Sequence, residues 1–262
     1  MNVLILTDFS EVSSNAARYA VDFLQDTEAN FYFLNIQDFD FKRSSLKNLD
    51  RKLIEILHKL EQSAAELKAY STSPRHHFNT ILSSENLISA VRKALTEKKI
   101  DLIFIGAISH KVHHHPILGD HAYEVVRKIR CNILAIPANC TYRFPEKVLL
   151  PIDHSVQQEE EIPTIISQNS FLHRSDFTVL KLKENQRSLV LISNPQQTET
   201  SVVEENQGDF SEEWFGEIQQ DYDLIFIIGK NLSICDRFLH YKHGITANID
   251  LHLPIFVFHN PR

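Results

Sequence analysis

Short apolar runs alternate with longer amphipathic stretches along the first half of the chain. Val3-Leu4-Ile5-Leu6 is a compact apolar run ended by Thr7-Asp8, the pattern of a strand buried on both faces. Ser10 offers a hydroxyl to cap the helix that follows, with Val12, Ala16, Ala20, Phe23 and Leu24 at helical spacing. Phe31 to Ile36 reads as the second strand. Leu46, Leu49, Leu53, Ile56, Leu57, Leu60, Ala64 and Leu67 trace one face of a long helix. A short strand is predicted from His76 to Leu82, and Ser84 is placed as the cap of a helix carrying Leu87, Ile88, Val91 and Leu95. Asp101 to Gly106 is a further buried strand, followed by a loop from Ala107 to Leu118. Ala122, Val125, Val126 and Ile129 mark another helix, and Asn132 to Ile136, closed by Pro137, is the last strand.

Strands alternating with helices imply right-handed crossovers and a parallel, doubly wound sheet covered on both faces. Ligands of such sheets gather at the carboxyl ends of strands, where the strand order switches. Asp8, Asn35, Ile36 and the chain from Gly106 onward occupy those ends.

The pattern then repeats. Val3-Leu4-Ile5-Leu6-Thr7-Asp8-Phe9-Ser10 returns as Val148-Leu149-Leu150-Pro151-Ile152-Asp153-His154-Ser155, Asp101 to Ile105 returns as Asp223 to Ile227, and Ile133 to Ile136 has a counterpart in Ile255 to Phe258. The offset is 145 residues at the first pair and 122 at the second, so the second copy is 23 residues shorter between these landmarks. Phe177 to Leu182 and Ser188 to Ile192 read as two strands with a short polar link, which leaves no room for the long helix. Three matches in one order predict a duplication, with a first domain over 1–140, a linker over 141–147 containing Pro145, and a shortened second domain over 148–262.

Composition agrees with two packed domains. The 262 residues are 43% hydrophobic and 23% charged, enough apolar material for two cores of about 100–150 residues each. The net charge of −7 predicts no general attraction for nucleic acid or an anionic membrane. No Lys or Arg occurs between Arg187 and Lys230, a span with nine acids; it reads as a solvated face or as a surface that repels phosphate. Cys131, Cys140 and Cys235 form no CxxC pair and are odd in number, which predicts a reducing, cytoplasmic setting rather than a disulfide framework. The opening residues lack a basic n-region and predict a strand rather than a signal peptide. No apolar run approaches the roughly 20 residues of a membrane span.

The opening strand ending in Asp8-Phe9-Ser10, the element order and the loop after the fourth strand resemble universal stress proteins. The likeness covers nearly all of the first half and the ends of the second. It implies tandem Rossmann-like domains of the adenine nucleotide alpha hydrolase type, packed through their closing strands as a pseudo-dimer within one chain, with a homodimer of whole chains as a further step. It also implies a cytoplasmic stress-response or signalling protein that acts through protein partners, its first domain binding ATP or a related nucleotide, with magnesium as the cofactor of ATP. ATP-binding members carry Gly, two residues, Gly, nine residues, then Gly followed by Ser or Thr. This chain keeps the spacing with Gly106, Ser109, Gly119 and Asp120, but changes two of the four positions. Glycines let backbone N–H groups curl toward phosphate, and the following helix adds its positive end.

Each site residue has a structural alternative. By the likeness Asp8 faces the ribose or phosphates; otherwise it caps the following helix. Ile36 offers backbone contacts to an adenine, or is core. Asp120 repels a triphosphate unless a divalent cation bridges them, or is simply an acid favoured at a helix start. His110, His113, His114, His115 and His121 crowd one loop, with His76 and His77 on a strand. They read as a solvated loop, as a metal site through His113 and His115, or, with Lys111, as phosphate contacts. No Walker loop, HExxH or nucleophile elbow occurs, so catalysis has little support. In the second copy Gly229 and Gly244 miss the spacing, and no nucleotide site is predicted there. The rival readings are an interaction module without nucleotide, and a metal-dependent hydrolase using Asp8, Asp120 and the histidines.

Overall fold

A computed structural model describes residues 1–37, 46–107, 118–153, 162–183, 186–192, 200–206, 216–229 and 252–259. The chain forms two compact units, Met1–Ser109 with Glu124–Tyr142, and His110–Tyr123 with Arg143–Arg262. Among the described residues no helix is long and apolar enough to cross a membrane.

The first unit carries β1 (Asn2–Leu6), α1 (Glu11–Phe23), β2 (Ala29–Ile36), α2 (Leu46–Tyr70), β3 (His76–Ser83), α3 (Leu87–Lys98), β4 (Leu102–Gly106) and β5 (Asn132–Ile136). The unit boundary falls within α4 (Asp120–Lys128). Strand order is β3-β2-β1-β4-β5, every pairing parallel. The order switches between β1 and β4, as expected of a doubly wound sheet. Val3, Leu4, Ile5, Phe31, Phe104, Ile133 and Leu134 are essentially inaccessible, because helices cover both faces of their strands.

Helix boundaries follow side-chain chemistry. Ser10 caps α1 by accepting from the Ser13 N–H at 3.2 Å. The predicted cap of α3 is corrected by two residues: Asn86, not Ser84, accepts from the Ser89 N–H at 3.0 Å. Asn is at least as good a cap as Ser, and here its carboxamide is the group in register with the third helical N–H. Asn15 on α1 donates to the carbonyls of Pro137 and Cys140 at 2.9 and 2.8 Å, fastening the turn after β5.

The second unit carries β6 (Lys147–Asp153), α5 (Ile162–Ser167), β7 (Asp176–Lys183), β8 (Gln186–Ile192), β9 (Thr200–Asn206), β10 (Leu224–Ile228) and β11 (Ile255–Phe258), with a 3-10 turn at Gln219–Asp221. Its strands run β11-β10-β6-β7-β8-β9. Pairings from β11 to β7 are parallel, but β7–β8 and β8–β9 are antiparallel. The expectation of a second fully parallel sheet is therefore corrected. With two residues between β7 and β8 there is space for a hairpin and none for a crossover helix.

One backbone device occurs in both units. Asp101 accepts from the Asn2 N–H at 2.7 Å and returns its own N–H to the Asn2 carbonyl at 2.8 Å. Asp223 accepts from the Lys147 N–H at 3.0 Å and returns its N–H to the Lys147 carbonyl at 2.8 Å. The strand registers agree as well: Val3 faces Leu102, and Val148 faces Leu224.

Candidate functional site

The carboxyl ends of β1, β2 and β4 and the start of α1 bring together a polar cluster in the first unit. Thr7 ends β1, buried, and its Oγ1 lies 3.2 Å from Ser13 Oγ on α1. That hydroxyl also accepts from the Phe9 N–H at 3.1 Å. Buried Asn35 donates to the Thr7 carbonyl at 2.8 Å, and Gln37 donates to the Asn35 Oδ1 at 3.0 Å. These contacts tie the ends of β1 and β2 to the helix start.

Asp8 is exposed at this point and accepts from the Ser10 N–H at 3.0 Å. The cap of α1 is Ser10, so the reading of Asp8 as the helix cap is corrected. Partial burial alone would raise its pKa. Hydrogen bonds from the Ser10 hydroxyl and N–H and from Ser13 outweigh burial and hold the carboxyl below its usual range. Asp8 is thus a fixed anion at neutral pH.

Phe9 adopts φ 65°, left-handed geometry that bulky residues rarely take. It lets the chain fold back so that Asp8 and Ser10 both serve the helix start. Lys59 on α2 stands over the Phe9 ring, 5.8 Å from its centroid, a cation–π contact across the mouth of the cluster.

Gly106 ends β4 on the other side of the switch. Its expected reason was a curled backbone, but no described glycine has positive φ. The constraint is close approach: a Cβ there would lie 2.7 Å from Val12 Cγ1, 3.3 Å from Val12 C and 3.4 Å from Ser13 N. Gly106 lets β4 touch the first turn of α1, beside Asp8.

Ile36 closes β2, half-buried and paired with Ser83, so it is not plain core. Gly119 and Asp120 open α4. The Gly119 carbonyl accepts from the Tyr123 N–H at 2.9 Å, and Asp120 is exposed in the first turn, where the helix dipole favours an acid. Ser109, His113 and His115 lie outside the described residues, as do His110, Lys111 and His114. Among the described residues no three His, Cys, Asp or Glu side chains group as metal ligands. His76 is buried with both ring nitrogens occupied: Nε2 lies 3.1 Å from the Leu24 carbonyl and so donates, leaving Nδ1 to accept from Ser71 at 2.7 Å. It is a core histidine.

The second unit differs at the corresponding strand end. Ala107 donates to the Ile136 carbonyl at 2.8 Å, and Gly229 donates to the Phe258 carbonyl at 2.7 Å. Gly229 therefore matches Ala107, and buried Ile228 stands where the first unit has Gly106. A Cβ at Gly229 would strike the His259 ring, 2.6 Å from Cε1 and 2.8 Å from Cγ.

Thr7, Ser13, Gln37 and Lys59 were not singled out from the sequence. Thr7 and Ser13 follow from the strand–cap–helix pattern itself; Lys59 joins the cluster only through the packing of α2.

In open α/β sheets the crevice at the switch point, here lined by a carboxylate and a helix start, is where ligands are taken when one is bound. Residues 1–137 match the Universal stress protein family, and the chain belongs to that family. Among solved structures, a universal stress protein from Archaeoglobus fulgidus DSM 4304 is similar over 98% of this chain and 95% of its own, with 12% identity and a TM-score of 0.56. Universal stress protein UspA from Lactobacillus plantarum is 22% identical, over 52% of this chain and 96% of its own, with a TM-score of 0.42. A universal stress family protein from Burkholderia pseudomallei is 21% identical over 52% of this chain and 95% of its own, with a TM-score of 0.41. No curated protein matches the chain in sequence.

Proposed function

We propose that the first unit binds an adenine nucleotide at the β1/β4 switch point, and that the protein serves a stress response through protein partners rather than by turnover. The observation that carries this reading is Asp8, an exposed carboxylate held ionised at the end of β1. Such a group accepts hydrogen bonds from ribose hydroxyls, or holds a divalent cation. Half-exposed Ile36 offers an apolar edge and backbone groups to a base. The site suits ATP with magnesium in these respects; the likeness to the family motif adds Gly106, Ser109, Gly119 and Asp120. Asp120 favours magnesium as a bridge to phosphate, because a bare carboxylate repels it.

The recurring strand pattern and the paired Asp101 and Asp223 devices support a duplication within the chain. Ile228 at the Gly106 position supports a second unit without nucleotide. The departures at Ser109 and Asp120 favour one rival, an interaction module that holds no nucleotide in either unit.

Titration calorimetry of the full chain with ATP and magnesium, and with cyclic AMP, tests the reading. We expect one site per chain, weakened at least tenfold in Asp8→Ala, by loss of about 1.4 kcal/mol or more. Absence of binding at millimolar nucleotide, together with no nucleotide released on denaturing the purified protein, establishes the rival.

A further inference from the structure

Two carboxamides at the end of β2 are linked in series to the backbone of β1. Asn35 is buried and donates from Nδ2 to the Thr7 carbonyl at 2.8 Å. A backbone carbonyl only accepts, so the Asn35 carboxamide has one orientation, with Oδ1 left to accept from Gln37. Gln37 donates from Nε2 to that oxygen at 3.0 Å. Its own orientation is set in turn. Turning Gln37 over would bring Oε1 against Asn35 Oδ1, and turning both over would bring Oδ1 against the Thr7 carbonyl oxygen. Two acceptors facing each other out of water lose the hydrogen bond and keep its desolvation cost. The Gln37 backbone is fixed as well, its N–H donating to the Ser83 carbonyl at 2.9 Å.

Gln37 is half-buried, and among the described residues nothing donates to its Oε1. It therefore keeps an acceptor, beside the second N–H of the same group, at the rim of the sheet. Leu6 faces Leu34 across the β1–β2 pair, so Asp8 leaves β1 next to the strand end that carries Ile36 and Gln37. A ribose held at Asp8 sets its base over that end. The sheet itself does not require the carboxamides. Val3 faces Phe31 and Val148 faces Phe177, so Lys181 and Lys183 of β7 take the positions of Asn35 and Gln37. The second unit builds the same parallel pair with two cations there.

We propose that Gln37 is a specificity-determining residue for the base, taking adenine and rejecting hypoxanthine and guanine. This role rests on the reading of the first unit as a nucleotide site, and adds the group that chooses the base. Adenine offers its N6 amine as a donor with N7 as an acceptor beside it, the edge that a Gln carboxamide pairs with through two hydrogen bonds. Hypoxanthine and guanine carry O6 where adenine has the amine, and O6 would meet Gln37 Oε1, acceptor to acceptor. A loose Gln adapts by turning its carboxamide over. Here the Thr7 carbonyl forbids that through Asn35.

Titration calorimetry of the full chain with ATP and with ITP, each with magnesium, tests the role. The two ligands differ in the base alone, and ATP is expected to bind about tenfold to a hundredfold more tightly. In Gln37→Met the advantage should fall to within about threefold, chiefly through weaker ATP binding. Gln37→Lys keeps a donor for Asn35 Oδ1 but meets the base with a further donor, and the preference should turn toward ITP. Loss of a merely structural side chain would weaken both nucleotides alike and leave their ratio unchanged. Wild-type protein that binds ATP and ITP equally, or folded variants that keep the wild-type ratio, overturn the role of Gln37 and leave the nucleotide site standing. Failure of both nucleotides to bind at millimolar concentration overturns the site and the role together.

Discussion

Gly106→Ala tests whether the contact between β4 and the first turn of α1 is as tight as the geometry requires. The added Cβ would stand 2.7 Å from Val12 Cγ1, about 1 Å inside an ordinary carbon–carbon contact. β4 lies between β1 and β5 and has little freedom to withdraw. Val12 is 5% exposed, so its side chain has no open space to turn into. Such overpacking costs about 1–3 kcal/mol, offset by about 0.4–1 kcal/mol because Ala restricts the unfolded chain. A net loss of about 1–2 kcal/mol is expected. Val12→Ala alone costs about 2 kcal/mol as a cavity. In the double variant the worst contact is gone, and the remaining 3.3 and 3.4 Å approaches to backbone are merely close. The double variant should therefore be about 1–2 kcal/mol more stable than additivity gives. The one tryptophan, Trp214, is in the second half of the chain, so far-UV circular dichroism through a urea titration is the suitable probe. A neutral Gly106→Ala, or strictly additive single variants, refutes the steric account and leaves Gly106 explained by a ligand alone.

Two further outcomes follow from titrating groups. The folded pKa of Asp8 lies below its unfolded value, so its contribution to stability is present above about pH 4 and fades as pH falls through the folded value. The stability difference between wild type and Asp8→Asn, from urea midpoints between pH 3 and 7, should shrink at the acid end; a difference constant with pH refutes the hydrogen-bonded carboxylate. Cys131 is buried, and burial, with the charge of Asp101 added, pushes its thiol up to about 12. In a Cys140→Ser, Cys235→Ser variant, a disulfide-exchange reagent at pH 8 should leave it untouched until denaturant is added; prompt native labelling contradicts that burial.

The fold of the first unit was legible because β1, β4 and β5 are built on unbroken apolar runs and the helices are amphipathic. Val3 to Leu6, Leu102 to Ile105 and Ile133 to Ile136 are buried on both faces, so no alternation obscures them. The places of Asp8 and Gly106 at the ends of β1 and β4 were legible because each closely follows an apolar run. The reason for Gly106 was not, since a close approach to Val12 depends on how α1 leans on β4, a tertiary distance with no local signal. Phe9 gave no warning either: Asn or Gly would have announced a left-handed residue, whereas Phe holds it through neighbouring contacts. β9 was missed because Thr200 to Asn206 mixes polar and acidic residues with only Val202 and Val203 apolar. The antiparallel turn of β8 was implicit in the two-residue link, and only its consequence for sheet class was overlooked.

The two units agree most closely at the amino ends of their strands and least at the carboxyl ends. The Asp101 and Asp223 devices, and the Val3–Leu102 and Val148–Leu224 registers, lie at the amino ends. They satisfy backbone groups where β1 and β4 of the first unit, and β6 and β10 of the second, start, a need of the sheet itself that is independent of any ligand. At the carboxyl ends Gly106 is replaced by Ile228, and the crossover after the second strand becomes a hairpin. A uniform drift of sequence after duplication would degrade both ends alike. The proposed duplication, with folding constraining both copies and the proposed nucleotide constraining one, would leave this difference at the carboxyl ends. On the proposed function, nucleotide is held by the first unit and the second serves as scaffold or partner contact.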